Sequence, residues 1–74
     1  MDRDHIKITE RERDVLICLS FGMNLSNVAS FLDIHRKTAS YYKNSIMKRL
    51  GFRKTALLLE WLRTESAREL IYYN

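Results

Sequence analysis

Residues 24–51 read NLSNVASFLDIHRKTASYYKNSIMKRLG, and the reading of this stretch decides the fold. Leu25, Val28, Ala29 and Leu32 recur at the three- and four-residue spacing of one helix face. Asn24 in front of them is a good N-cap, so a helix is predicted over 25–32. Phe31 falls at the edge of that face. Asp33-Ile34-His35 breaks the period and reads as a tight turn. A longer helix is predicted over 36–50. Ala39, Tyr42 or Lys43, Ile46 and Leu50 fall on one of its faces. Lys37, Ser40, Tyr41, Asn44 and Lys48 fall on the opposite one. His35 would be its N-cap, a weak residue for that position. Gly51, directly after Leu50, stands where a left-handed helix terminator belongs.

Upstream, Gly22 closes another periodic segment. Thr9 and Glu12 have the spacing of a capping box, and Glu10, Glu12 and Asp14 sit where the helix dipole favours acids. Ile8 and Arg13 make no hydrophobic staple, so the box alone holds the entry. Val15, Leu16, Leu19 and Cys18 supply the apolar face of a helix over 9–21. Downstream, a fourth helix is predicted over 55–65, with Leu57, Leu58, Leu59, Trp61 and Leu62 as its apolar residues. Beyond Ser66, Leu70, Ile71, Tyr72 and Tyr73 either extend that helix or pack back as a tail. No stretch alternates apolar and polar residues over strand length. The fold class is therefore all-α, with four helices in a single domain spanning 1–74.

Length and composition narrow the function classes. A chain of 74 residues, 46% hydrophobic and 30% charged, has room for one core. Its longest uninterrupted aliphatic run, Ala56 to Leu59, falls far short of the roughly 20 residues of a membrane span. The start, MDRDHIKITERERD, is too charged for a secretory signal. Cys18 is the single cysteine, which excludes an intrachain disulfide and a cysteine-based metal site. A reduced, cytoplasmic setting is expected. His5 and His35 lack ligand partners at metal-site spacing, and no nucleophile–base pair, carboxylate pair or phosphate loop can be assembled. The expectation is a binding module with no catalysis, no cofactor and no metal.

The charge is unevenly placed. Thirteen basic and nine acidic residues give +4. Seven of the basic ones, Arg36, Lys37, Lys43, Lys48, Arg49, Arg53 and Lys54, lie between Ile34 and Lys54, a window without an acid. The rest of the chain carries six basic and nine acidic residues, a balance of −3. A solvated helix face normally intersperses acids, and a helix of one sign repels itself unless a polyanion meets it. A short helix, a three-residue turn and a longer basic helix make a helix-turn-helix, whose second helix enters the major groove of duplex DNA. That groove, about 12 Å wide, admits one α-helix. On the exposed face, Asn44 can bond an adenine edge, Ser40 can donate or accept, and Tyr41 can touch a thymine methyl or a phosphate. Lys37, whose ammonium also suits a phosphate, is grouped with these base-facing residues. Arg36, Lys43, Lys48, Arg49, Arg53 and Lys54 suit phosphates.

The ordered series Ile8-Thr9-x-Arg11-Glu12-x-x-Val15-Leu16, Gly22, Val28-Ala29-x-x-Leu32-x-Ile34-x-x-x-Thr38 and Ile46-x-x-x-Leu50-Gly51-Phe52 resembles the LuxR/GerE-type helix-turn-helix domain. The resemblance covers about residues 8 to 62. From Lys37-Thr38 through Leu50-Gly51 to Leu58-Leu59 it is most similar to the Rcs-type response regulators. It implies a four-helix fold, with the third helix reading the major groove and the fourth contributing to a dimer. By position it makes Thr38 a phosphate contact, places Ser40, Tyr41 and Asn44 toward the bases, and sets Arg49 where the family has a lysine. The sequence departs from the family pattern at His35 (usually Ser), Ala39 (Val), Ser40 (Lys), Tyr42 (His) and Ser45 (Asn). Ser26-Asn27 replaces a usual Lys-Glu pair. Losing the lysine at Ser40 removes one positive contact; Lys43, one turn on, compensates. Family members often carry a receiver or ligand-binding domain upstream, so the chain is either a stand-alone regulator or a DNA-binding domain.

The expected partner is double-stranded DNA, not a membrane. The apolar residues of the fourth helix exceed one core stripe about 100° wide, and the three-helix remainder looks too small to cover them. The surplus is expected to form a weak homodimer contact through Leu58 and Leu62, with Trp61 tied more to the core, or a heterodimer contact with another regulator. The alternative function is an interaction module of the same fold that pairs with another regulator and binds DNA weakly alone. Ser40 and Ser45 favour it, and the intact basic segment opposes it. Tyr42 and Cys18 are read as core residues, and Met23 and Met47 as gap fillers.

Overall fold

The computed structural model describes residues 6–73, so His5 lies outside the described residues. Five helices follow in order: α1 (Glu10–Ser20), α2 (Leu25–Leu32), α3 (Arg36–Leu50), α4 (Thr55–Trp61) and α5 (Glu65–Tyr73). No strand occurs among the described residues.

The predicted capping box opens α1. The Glu12 amide donates to Thr9 Oγ1 at 3.2 Å, and the Thr9 amide donates back to Glu12 Oε1 at 2.9 Å. Asn24 caps α2, its Oδ1 accepting from the Asn27 amide at 2.8 Å. His35 precedes α3 without any side-chain capping bond, as its chemistry led one to expect.

Helices α1, α2 and α3 end in the same way. Gly22 and Gly51 take positive φ, +88° and +81°. The residue after each donates to the carbonyl five positions back, Met23 to Cys18 at 3.3 Å and Phe52 to Met47 at 2.9 Å. Asp33 does for α2 what glycine does for the others, at φ 56°, with the Ile34 amide on the Ala29 carbonyl at 3.0 Å. Aspartate tolerates the left-handed region better than most residues. The three-residue turn between α2 and α3 is therefore the terminator Asp33, then Ile34, then the extended N-cap His35.

One core cluster joins all five helices. Val15, Leu16, Val28, Ala39, Ile46, Leu58 and Ala67 are its most deeply buried members. Cys18 and Met47 belong to it, and Tyr42 and Met23 pack against it half-buried. Burial, followed by the nearby Asp14 charge, pushes the Cys18 thiol up, away from the reactive thiolate.

The C-terminal third departs from expectation. The fourth helix stops at Trp61 rather than near 65. Thr64 marks the break: its hydroxyl donates to the Trp61 carbonyl at 2.6 Å and accepts from the Ala67 amide at 3.4 Å. A separate α5 then packs back against α1 and buries Ala67, Leu70 and Ile71. This fifth helix adds Ala67, Leu70 and Ile71 to the core that the sequence reading took to be too small. Leu58 is wholly buried, and Trp61 and Leu62 are nearly so. Those three residues, expected at a dimer contact, are core residues of this chain. The large apolar residues that α4 leaves exposed are Leu57 and Leu59.

Candidate nucleic-acid interface

The site is built on α3, the longest helix, and on the loop that follows it. Ala39, Ile46, Met47 and Leu50 are buried on its inner side against α1 and α2. The inward side fixes what faces out. Lys37, Tyr41, Asn44 and Lys48, spaced four, three and four residues apart, are all exposed and form one stripe. At 1.5 Å per residue the stripe is about 16 Å long. Four of the residues placed on the outer face by spacing alone stand there, and Ser40 lies half-buried at its edge. The Asn44 amide reaches Ser40 Oγ at 3.4 Å, a long bond that leaves most of its hydrogen-bonding capacity free. Tyr41 is 67% exposed and meets Tyr42 edge-on, with ring centroids 5.6 Å apart.

The residues expected at phosphates divide into three sets. Arg36, Lys48, Arg53 and Lys54 are exposed. Thr38 and Lys43 are half-buried, and Lys43 Nζ donates to Thr55 Oγ1 at 3.1 Å, tying α3 to the start of α4. Arg49 is engaged within the fold. Its Nη1 lies 2.7 Å from Glu12 Oε1 and its Nη2 2.8 Å from Glu12 Oε2, a bidentate pair. Nη1 also donates to the Lys7 carbonyl at 2.9 Å, and Nη2 to Ser45 Oγ at 3.2 Å. Sequence reasoning gave Arg49 to phosphate and missed this structural role. Spacing could not have revealed it, because the partner lies 37 residues away.

Glu12 is only 2% exposed. Burial alone would push its carboxyl up. The bonds from Arg49, the Thr9 amide and Ser45, with the Arg49 charge, outweigh that and hold it below its ordinary value. Arg49 is correspondingly pushed up, first by its hydrogen bonds to Glu12. Glu12 thus caps α1 and anchors α3 with one carboxylate.

Among the described residues no group of three or more His, Cys, Asp or Glu side chains could hold a metal ion, and no helix is long and apolar enough to cross a membrane.

This geometry agrees with the comparisons to known proteins. Residues 7–71 match the family described as bacterial regulatory proteins, luxR family, through its GerE domain. The chain is 39% identical over 64 residues to the uncharacterized protein YjjQ of Escherichia coli O157:H7. The matched segment is 85% of this chain and 27% of that protein, so the chain spans about a quarter of the length of this relative. No solved structure matches it. The helix-turn-helix of α2 and α3, set in an all-helical fold that matches from residue 7 to residue 71, shows that the chain belongs to the luxR family of bacterial DNA-binding regulators.

Proposed function

We propose that this chain is a transcription regulator unit that binds duplex DNA with α3 in the major groove. The observation that carries the reading is the exposed stripe Lys37, Tyr41, Asn44 and Lys48, on a segment with seven cations and no acid. Lys37, Ser40, Tyr41 and Asn44 read base edges. Arg36, Thr38, Lys43, Lys48, Arg53 and Lys54 contact phosphates, while Arg49 holds α3 against α1. Residues 1–74 act as one unit, in the cytoplasm where bacterial DNA lies. A weak homodimer, or a heterodimer with another regulator, forms through the exposed side of α4, where Ala56 and Leu57 face solvent. One short helix per subunit offers little area, so pairing is expected on DNA rather than in free solution.

The test is selection of bound duplexes from a random pool, followed by titration of the best one at several salt concentrations. With four or five cations engaged per subunit, the log–log slope is expected to be about −4, at about −0.9 per neutralised phosphate. Affinity that stays flat with salt would remove the DNA reading and leave the interaction module in its place.

A further inference from the structure

We propose that Ser40 is a positioning residue: its hydroxyl holds the Asn44 amide in the orientation that reads adenine, so the bound duplex carries an A·T pair opposite Asn44. The inference rests on the reading of α3 as the helix in the major groove. Ser40 and Asn44 are one turn apart on α3, Ser40 half-buried at the edge of the exposed stripe and Asn44 within it. Asn44 Nδ2 donates to Ser40 Oγ at 3.4 Å. One turn further on stands Lys48, also exposed. A hydroxyl oxygen accepts, whereas an ammonium only donates. Ser40 therefore draws Nδ2, and Lys48 disfavours Nδ2 and favours Oδ1 at its own end. No carboxylate occurs on α3 to draw the amide elsewhere. Both neighbours set the same orientation, with Nδ2 toward the start of α3 and Oδ1 toward its end.

That orientation leaves one Nδ2 hydrogen and the Oδ1 lone pairs free. A donor beside an acceptor is complementary to a base that presents an acceptor beside a donor. In the major groove adenine alone does so, through N7 and the N6 amino group. Guanine presents two acceptors, N7 and O6, and would set O6 against Oδ1. Thymine O4 and the cytosine N4 amino group each engage only one half of the amide. The reverse orientation would set Nδ2 against the N6 amino group and Oδ1 against N7 of the same adenine. Because Ser40 Oγ holds the amide before the duplex arrives, less freedom is lost on binding. Ser40 keeps its own hydroxyl hydrogen, so it can still donate to a base edge.

The test starts from the duplex selected by the native chain. The base pair belonging to Asn44 is the one at which Asn44→Ala loses discrimination. That pair is expected to be A·T, and guanine in place of its adenine should weaken the native chain about ten-fold or more. Ser40→Ala should reduce this ratio about three-fold, and Ser40→Thr, which keeps the hydroxyl, should restore it. In the Asn44→Ala background, Ser40→Ala should leave the ratio unchanged. Replacing the adenine by 7-deazaadenine, which lacks the N7 acceptor, should weaken the native chain about three-fold and the Asn44→Ala chain not at all. An Asn44-dependent pair other than A·T, or none, overturns the inference and leaves the DNA reading standing. So does equal discrimination by the native and Ser40→Ala chains. An effect of Ser40→Ala that persists without Asn44 also overturns it, and would make Ser40 an independent reader. Failure to select any duplex would remove the DNA reading and this inference together.

Discussion

The Arg49 guanidinium meets the buried Glu12 carboxylate through two parallel hydrogen bonds of 2.7 and 2.8 Å, joining the last turn of α3 to the first turn of α1. A bidentate pair fixes orientation as well as distance. The helix that carries the exposed stripe from Lys37 to Lys48 is thereby referenced to the capping box of α1, and through the Lys7 carbonyl to the segment of chain before it.

Removing Arg49 should cost stability first. Arg49→Ala leaves a carboxylate that is 2% exposed without its main partner. Breaking a fully buried pair costs about 3–5 kcal/mol. The Arg49 side chain is itself 38% exposed, so about 2 kcal/mol is the expectation here. Urea unfolding followed by circular dichroism measures it. A change below about 0.5 kcal/mol would show that water replaces the pair without loss.

Acid should find the same link. The Glu12 carboxyl is held below its ordinary 4.5 in the folded chain, so the unfolded chain binds the proton more readily. Its contribution is fully present above about pH 4.5 and disappears as pH falls through the folded value. The urea midpoint should fall more steeply below pH 4.5 for the native chain than for Glu12→Gln, which has nothing to protonate at that site. Parallel pH profiles for the two chains would dissociate Glu12 from the acid response.

Within the stripe, readers and anchors should behave differently. Asn44→Ala and Tyr41→Ala should change which duplex is preferred, by about 1–3 kcal/mol for a good base contact. Lys48→Ala should weaken all duplexes about equally and flatten the salt dependence. Competition binding against a panel of point-substituted duplexes decides between the roles. The assignment is wrong if Lys48→Ala shifts preference while Asn44→Ala lowers affinity uniformly.

Neighbouring leucines on α4 should part company. Leu58 is wholly buried, so Leu58→Ala should destabilise by about 2–5 kcal/mol. Leu57 is 45% exposed, and Leu57→Glu should leave thermal stability nearly unchanged while abolishing two-subunit occupancy of an inverted-repeat duplex. Thermal melts and gel-shift stoichiometry give the two readouts. Cooperative pairing that survives Leu57→Glu would move the dimer contact away from this side of α4.

The amino-acid sequence by itself determined the first three helices and the candidate reading face. The signals there are local: Thr9 and Glu12 cap within one turn, Gly22 and Gly51 supply left-handed terminators, and apolar spacing in α3 fixes which residues are left outside. The confinement of seven cations to residues 34–54 is likewise legible without coordinates. Asp33 as the terminator of α2 was not, because aspartate adopts φ 56° only where the surrounding fold calls for it. Tertiary structure alone decided what α4 buries and what Arg49 does. The apolar residues of α4 look surplus until α5 is known to follow Thr64, pack on α1 and join the one core in which Leu58, Trp61 and Leu62 are buried. Arg49 looks like one more free cation until packing brings Glu12 beside it. Both outcomes depend on contacts between residues distant in the chain, and periodicity along one helix specifies a buried side without specifying what buries it.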